Sequence, residues 1–563
     1  MDYIKEIAEF IKIDGVEQGE IIAAVVPAAE SAFGDYSLPC FKFSKVLKKS
    51  PNLIAAELKE SLSASKPDFI EKIDAVGGYL NFTLDRMLFV KATLTDIIAR
   101  GADYGSSDEG SGKTVCIDFS SINIAKPFHI GHLGTTVIGA ALYRIFKKLG
   151  YNVVGINHLG DFGTQFGKLI VAYKLWGDKT DIEKNGLKSL VDIYVRFHKE
   201  EEDKPELTAR AREWFLRIEK GDAEATELFN FFKAITMKEV DKTYERLGVH
   251  FDSYAGESFY NDKMQPVIDE LKAKNLLEIS DGASIVDLSP YDMPPCLILR
   301  SDGASLYATR DLATIFYRKK TYDFDKCLYV VAYQQNLHFK QVFKVIELLG
   351  HEYYKDLIHV AYGMVSLEEG AMSTRKGNMV YLSDVLDKAS EKSLAIIGEK
   401  SPDLKNPRET AEAVGVGAVI FGALINNRIK DNVFSYEKIL NFDGETGPYL
   451  QYTYARCNSI LEKAGKIGDA DMSSIAGDEA YELVKLLKRY PEVLKSAKEN
   501  YEPSFVTRYL IDTAQAYNKF YFEYRILNEK QEVKNARVML TKAAAGILKD
   551  GFGIIGIKAV EHM

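Results

Sequence analysis

Apolar and polar positions change their period along this chain, and the changes mark its elements. In the first hundred residues an amphipathic opening stretch gives way to helical spacing over residues 51–62. The strand-like segment Gly78-Tyr-Leu-Asn-Phe-Thr-Leu84 follows, and together these predict a small α/β unit. The tract Gly105-Ser-Ser-Asp-Glu-Gly-Ser-Gly112 has the composition of a linker and marks a boundary. After it, Val115, Ile117 and Phe119 alternate as a strand. Leu133, Val137, Ile138, Ala141, Leu142, Ile145, Phe146 and Leu149 then recur as one face of a helix closed by Gly150, and Tyr151-Asn-Val-Val-Gly-Ile156 reads as the next strand.

Residues 326–333 and 357–361 repeat this theme as buried strands around a helix over residues 338–349, which predicts a doubly wound parallel sheet. Residues 181–248 are charged, helix-favouring and without strand alternation, so they are expected to form a helical insertion. From Leu382 the period is helical to the end. The predicted organisation is a multidomain α/β chain. It has a small N-terminal α/β domain at 1–107, a Rossmann-type parallel-sheet domain at 108–381 with the insertion at about 181–248, and an all-α domain at 382–563.

Composition adds limits. With 563 residues, 46% hydrophobic and 27% charged, the chain has material for several cores and none of the bias of a disordered protein. No run approaches the ~20 apolar residues of a membrane span, and the N-terminus mixes charge with isolated apolar residues, so a cytoplasmic protein is expected. The five cysteines are scattered without a C-x-x-C pair, which argues against a disulfide framework and a thiolate zinc site. A net charge of −9 means that any nucleic-acid contact relies on local clusters. Lys42, Lys45, Lys48 and Lys49 form one candidate, and Lys485, Lys488 and Arg489 another, although such a short run is more often just a solvated face.

Candidate chemistry concentrates in Asp118-Phe-Ser-Ser-Ile-Asn-Ile-Ala-Lys-Pro-Phe-His-Ile-Gly-His132. Polar residues crowd the junction of a strand end and a helix start, where open α/β sheets bind ligands. The helix N-terminus offers free N–H groups to phosphates, Gly131 permits close approach, and His129 and His132 add donors. Phosphate or adenylate chemistry suits this arrangement. A chance H-x-G-H, or two histidines capping a helix, is the plain alternative.

The longer segment resembles the extended signature of arginyl-tRNA synthetases, a branch of the class I aminoacyl-tRNA synthetases. Asn157-His-Leu-Gly-Asp-Phe-Gly-Thr-Gln-Phe-Gly167 resembles the same family's second block, with Phe162 where Trp is more usual; it suggests Asn157, Asp161 and Gln165 as site-lining. Leu299-Arg-Ser-Asp-Gly-Ala-Ser-Leu-Tyr-Ala-Thr-Arg-Asp-Leu-Ala313 is similar to a third block and predicts an Asp302-Gly303 turn before a helix starting near Tyr307. On that helix Tyr307 and Asp311 share a face. A guanidinium has five donors in a plane and no acceptor, so a pocket for it needs carboxylates and side-chain oxygens. Asp118, Tyr307, Asp311 and Gln335 supply them.

The resemblance implies L-arginine, ATP with Mg2+, and tRNA(Arg) as substrates, with no metal held by the protein itself. It places Asp118 toward the substrate guanidinium although the family more often has Glu there, and assigns Ser120 and Asn123 to the amino-acid end. His129, His132 and Lys126 are the implied catalytic residues. ATP would meet His129, Gly131 and His132, and also Ser373, Arg375 and Lys376 in Ala371-Met-Ser-Thr-Arg-Lys-Gly-Asn378. That loop departs from the family's K-M-S-K-S pattern at both lysines, leaving Lys126, Arg375 or Lys376 as replacements. Tyr79 and Asn81 are implied to contact the tRNA elbow, and Tyr449, Tyr452 and Met563 the anticodon. A monomer is expected, with tRNA bound before the first step and attack from the 2′-hydroxyl. Two other readings stay open: another enzyme with the same short signature, and a catalytically dead RNA-binding relative.

Overall fold

Two compact units make up the chain, residues 1–104, 457–489 and 513–547 in one and residues 105–456, 490–512 and 548–563 in the other. The computed structural model describes residues 2–301, 307–367 and 380–563.

In the first unit, strands β1 (Val26–Pro27), β2 (Tyr36–Pro39), β3 (Ile70–Val76) and β4 (Tyr79–Leu84) form an antiparallel sheet in the order β1-β2-β4-β3. The helix Pro51–Ser63 starts where its sequence says it should: Pro51 opens its first turn and Ser50 Oγ accepts the Leu53 amide at 3.3 Å. Arg86–Arg100 is capped in the same way by Asp85. The helix Asp478–Lys488 belongs to this unit too. Tyr481 donates to Asp35 at 3.0 Å, its ring meets Phe89 edge-on, and Asp478 pairs with Arg86 at 2.7 Å.

The second unit is built on a parallel sheet in the order β11-β10-β5-β6, with β5 (Thr114–Asp118), β6 (Asn152–Ile156), β10 (Lys326–Tyr329) and β11 (Leu357–His359). The chain leaves β5 through the helix Leu133–Lys148 to β6 and later returns to β10 on the other side of β5. The order therefore reverses at β5, which puts the switch point of the sheet at the carboxyl ends of β5 and β10, the place where open α/β sheets bind ligands. Cys116, Ile156, Cys327 and Tyr329 of the sheet pack with Leu312, Ile315, Val342 and Ile346 of the covering helices into one buried core.

The insertion is helical as expected, through Lys179–Asn185, Leu187–Asp203, Pro205–Glu219 and Ala223–Leu247. Three details differ from the sequence reading. The strand expected to reach residue 333 stops at Tyr329, because the chain turns into the 3-10 helix Tyr333–Gln335. An antiparallel sheet of β7 (Glu278–Ser280), β8 (Ala283–Val286) and β9 (Cys296–Leu299) stands where strands of three and four residues are too short to display a period. Within the helical C-terminal region, β13 (Asn432–Phe434) pairs in parallel with β12 (Val365–Leu367). Among the described residues no helix is long and apolar enough to cross a membrane.

The insertion locks onto the sheet domain through the helix Thr164–Trp176, where Gly167 faces the helix Pro205–Glu219. A Cβ on Gly167 would stand 1.9 Å from the carbonyl oxygen of Ala211, a backbone atom that cannot swing aside. Gly167→Ala is therefore expected to destabilise this unit by about 2 kcal/mol or more, in the upper range for overpacked contacts, read as a lowered thermal unfolding midpoint.

Candidate active site

The loop leaving β5 is held in a conformation that its residues do not favour. Ser120, Ser121 and Ala125 have φ of 70°, 44° and 59°, the left-handed region that side chains resist at roughly 1–2 kcal/mol each. Each is fastened by a specific bond. Ser120 Oγ lies 2.7 Å from the Tyr244 hydroxyl and 2.8 Å from Thr136 Oγ1; Ser121 Oγ donates to Asp118 at 2.7 Å; the Ala125 amide donates to Thr236 Oγ1 at 3.1 Å. The loop also pairs with the second block, since Asn123 bridges to Gly160 and the Ile124 amide donates to Gly160 O at 3.1 Å. A Cβ on Gly160 would stand 2.5 Å from Asn123 Oδ1, so any larger residue would have to push the Asn123 side chain aside.

Where the loop meets the helix, His129 and His132 stand with ring centroids 4.0 Å apart. His129 Nδ1 accepts the Gly131 amide at 3.1 Å, which leaves its proton on Nε2 as a donor. Nδ1 of His132 lies 3.3 Å from both the amide nitrogen and the carbonyl oxygen of His129. Burial pushes both imidazoles below their ordinary range, His132 to about 3 with the neighbouring His129 adding to the effect. Both rings are neutral at pH 7. The exposed Lys126 lies close enough to His132 to disfavour its charge.

Asp118 ends β5 with its carboxylate already engaged: Oδ2 accepts from Arg318 Nη2 at 2.7 Å and Oδ1 from Ser121. Asp311 accepts from His338 Nε2 at 2.5 Å on the helix Tyr307–Tyr322, whose first residue, Tyr307, is 71% exposed. Gln335 is exposed at the end of the 3-10 helix Tyr333–Gln335. In the second block, Asn157 donates to the Tyr244 hydroxyl at 2.9 Å, and Asp161 accepts from Ser258 and from Lys233 at 2.7 Å. Gln165 turns back to the Phe162 carbonyl at 3.3 Å.

Several supporting residues escaped the sequence reading. Tyr244, Thr236 and Lys233 all lie on the insertion helix Ala223–Leu247 and reach the two signature blocks; the apolar stripe Phe232, Thr236, Val240, Tyr244 was the available signal. Arg318 had none, and the half-buried His158 stood inside the second block without being singled out. Glu257 is also new: burial pushes its carboxyl up to about 7, within electrostatic reach of Arg310, Asp311 and Asp161.

Ser373, Arg375 and Lys376, like the expected turn at Asp302 and Gly303, lie outside the described residues. Tyr79 is 43% exposed beside Phe41, whereas Asn81 is buried and accepts from Ser37 at 2.6 Å. Tyr452 is exposed with the Arg456 guanidinium 4.9 Å above its ring; Tyr449 is half-buried one turn earlier; and Met563 packs against the cluster of Ile397, Ala411, Val414 and Val560.

Comparison with known proteins agrees across these segments. Residues 93–436 match the catalytic domain of class I tRNA synthetases (R), residues 2–84 the arginyl tRNA synthetase N terminal domain, and residues 450–563 the DALR anticodon binding domain. The chain is 48% identical to the arginine–tRNA ligase of Alkaliphilus metalliredigens and 50% identical to that of Clostridium beijerinckii, each over 100% of both chains. Among solved structures it resembles Thermus thermophilus arginyl-tRNA synthetase with a TM-score of 0.82 and 27% identity over 96% of each chain. It shares its fold with the Plasmodium falciparum enzyme at a TM-score of 0.80 and 22% identity, covering 100% of this chain and 98% of that one. With the signature junction, the N-terminal sheet and the helical C-terminal region each matched, the chain belongs to the arginyl-tRNA synthetases of class I.

Proposed function

We propose that this protein is an arginine–tRNA ligase that activates L-arginine with ATP and passes the arginyl group to the terminal ribose of tRNA(Arg). The observation that carries the reading is the pair of neutral imidazoles at the start of the helix Leu133–Lys148, presented beside Lys126 by a strained loop at the carboxyl end of β5. In the first step a carboxylate oxygen of arginine bonds to the α-phosphorus of ATP as the bond to pyrophosphate breaks. His129 and His132 donate to the phosphoryl oxygens on which charge accumulates, and the Gly131 region lets the phosphates approach. Lys126 stabilises the leaving pyrophosphate, with Ser373, Arg375 and Lys376 as further ATP contacts. Mg2+ arrives on the ATP phosphates, and no protein ligand for it is proposed.

In the second step the terminal 2′-hydroxyl oxygen attacks the acyl carbon, AMP leaves with the bonding pair, and the hydroxyl proton is released. No covalent enzyme intermediate is involved. Asp311, Tyr307 and Gln335 receive the guanidinium, Asn123 and Ser120 the amino-acid end, and Asp118 contributes the second carboxylate of the site. A lysine side chain, a compact ammonium without the planar fork, would leave part of this set unpaired. tRNA(Arg) is read at its elbow by Tyr79, with Asn81 supporting that strand, and at its anticodon by Tyr449, Tyr452 and Met563. The protein works as a cytoplasmic monomer and requires bound tRNA for the first step.

Arginine-dependent ATP–pyrophosphate exchange, with and without tRNA(Arg), tests this reading; exchange stimulated by lysine or glutamate instead of arginine would sink it. Asp311→Asn is expected to raise the arginine KM about 100-fold, as for a truncated charge-assisted contact, while leaving the ATP KM near its original value. Lys126→Ala should slow adenylate formation about 100-fold in single-turnover measurements, in line with the removal of one preorganised charge-stabilising group. A near-unchanged rate would remove Lys126 from the catalytic set.

Stability should report the buried imidazole as well. His132 titrates near 3 in the fold against an ordinary 6.5, so below about pH 6.5 the unfolded chain holds a proton that the fold refuses. Stability is intact above that pH and falls as pH drops toward 3. The thermal midpoint is expected to fall between pH 7 and pH 5, and to fall less steeply in His132→Gln.

A further inference from the structure

The helix Tyr307–Tyr322 carries the groups that set the amino-acid end of the site. At 100° per residue, Tyr307, Asp311 and Arg318 lie within about 40° of one another around its axis, with Asp311 and Arg318 about 10 Å apart along it. One helix face therefore offers a carboxylate near one end and a guanidinium further along. The two differ sharply in access: the Asp311 side chain keeps 29% of its surface, the Asp118 side chain 8%, and the Arg318 side chain none.

Arg318 is a guanidinium already in residence. It bonds Asp118 at 2.7 Å, lies over the Tyr329 ring at 5.4 Å, and is flanked by the hydroxyl of Tyr260, with the neutral His158 close to both members of the pair. The other Asp118 oxygen is taken by Ser121, which stands in the strained loop next to Ser120. Asp118 is thus filled from inside the protein, whereas among the described residues the Asp311 carboxylate is paired with the half-buried imidazole of His338 and keeps more of its surface open.

We propose that Asp118 is a positioning residue rather than a direct ligand of the substrate guanidinium. Its carboxylate is the counter-ion of Arg318, and the pair clamps the helix Tyr307–Tyr322 against the end of β5 so that Asp311, with Tyr307 and Gln335, meets the substrate cation. The inference rests on the pocket assigned above to Tyr307, Asp311 and Gln335.

The test is a double-mutant cycle in the full-length enzyme with tRNA(Arg) present, measuring arginine KM and ATP KM by pyrophosphate exchange for Asp118→Asn, Arg318→Met and the double variant. Each single change strands a buried polar partner and is expected to raise the arginine KM about tenfold with the ATP KM unchanged, whereas the double variant returns to within about threefold of the original. A double variant as poor as Asp118→Asn shows that Asp118 touches the substrate and overturns the proposal. Single variants that lose stability while both KM values stay put overturn it too. If the double variant does not fold, Arg318→Lys decides. Keeping the charge but losing the planar fork, it should raise the arginine KM a few-fold if Asp118 positions the helix; an unchanged or lowered KM overturns the proposal. Asp311→Asn separates the two layers, because an unchanged arginine KM there defeats the pocket assignment whatever the cycle shows.

Discussion

A strand that ends at Asp118 must deliver two imidazoles to the first turn of a helix, and the intervening chain manages this only by accepting left-handed backbone at Ser120, Ser121 and Ala125. Everything around the site serves to keep that loop in place. Isolated, three such residues would relax toward ordinary conformations. Here each is tied by a hydrogen bond, to Tyr244, Asp118 or Thr236, and the loop is zipped onto Gly160. Strain of this kind persists where the surroundings over-determine it, and its cost is met by the packing of the whole second unit.

The electrostatics divide along the same line. On the side proposed for the phosphates the imidazoles are uncharged, and Lys126 is a cation close to His132. On the side proposed for the amino acid, three carboxylates have a partner that fixes their direction: Arg318 for Asp118, His338 for Asp311, Lys233 for Asp161, whereas the buried Glu257 is pushed toward its neutral form. A buried carboxylate without such a partner would neutralise itself and lose its value for recognising a cation.

How much of this was legible in the sequence depends on the distance over which the information is written. The β5–helix–β6 unit, the helical insertion and the two histidines were readable because each is spelled out within about a dozen neighbouring residues by periodicity and cap chemistry. The partners were not. Asp118 finds Arg318 200 positions away, Ser120 finds Tyr244 124 positions away, and Asp161 finds Lys233 72 positions away, and no local period announces such pairings. Short elements failed for the opposite reason, since three residues of β7 or β13 cannot establish an alternation. Asn81 shows a further limit: its strand position was readable, but the bond from Ser37 that turns it inward belongs to the neighbouring strand.

The helix Ala223–Leu247 belongs to the charged insertion, which carries none of the signature blocks, yet it places Lys233, Thr236 and Tyr244 against two of them. That splits the insertion into two parts with different evolutionary freedom. The turn at residues 220–221 between the helices is exposed, a place where lineages can gain or lose residues at little expense. Between Lys233 and Tyr244, a single inserted residue would rotate everything beyond it by about 100° and swing Tyr244 away from Ser120 and Asn157. Length should therefore drift before residue 223 and hold constant after Lys233, a spacing rule written in helical phase rather than in residue identity.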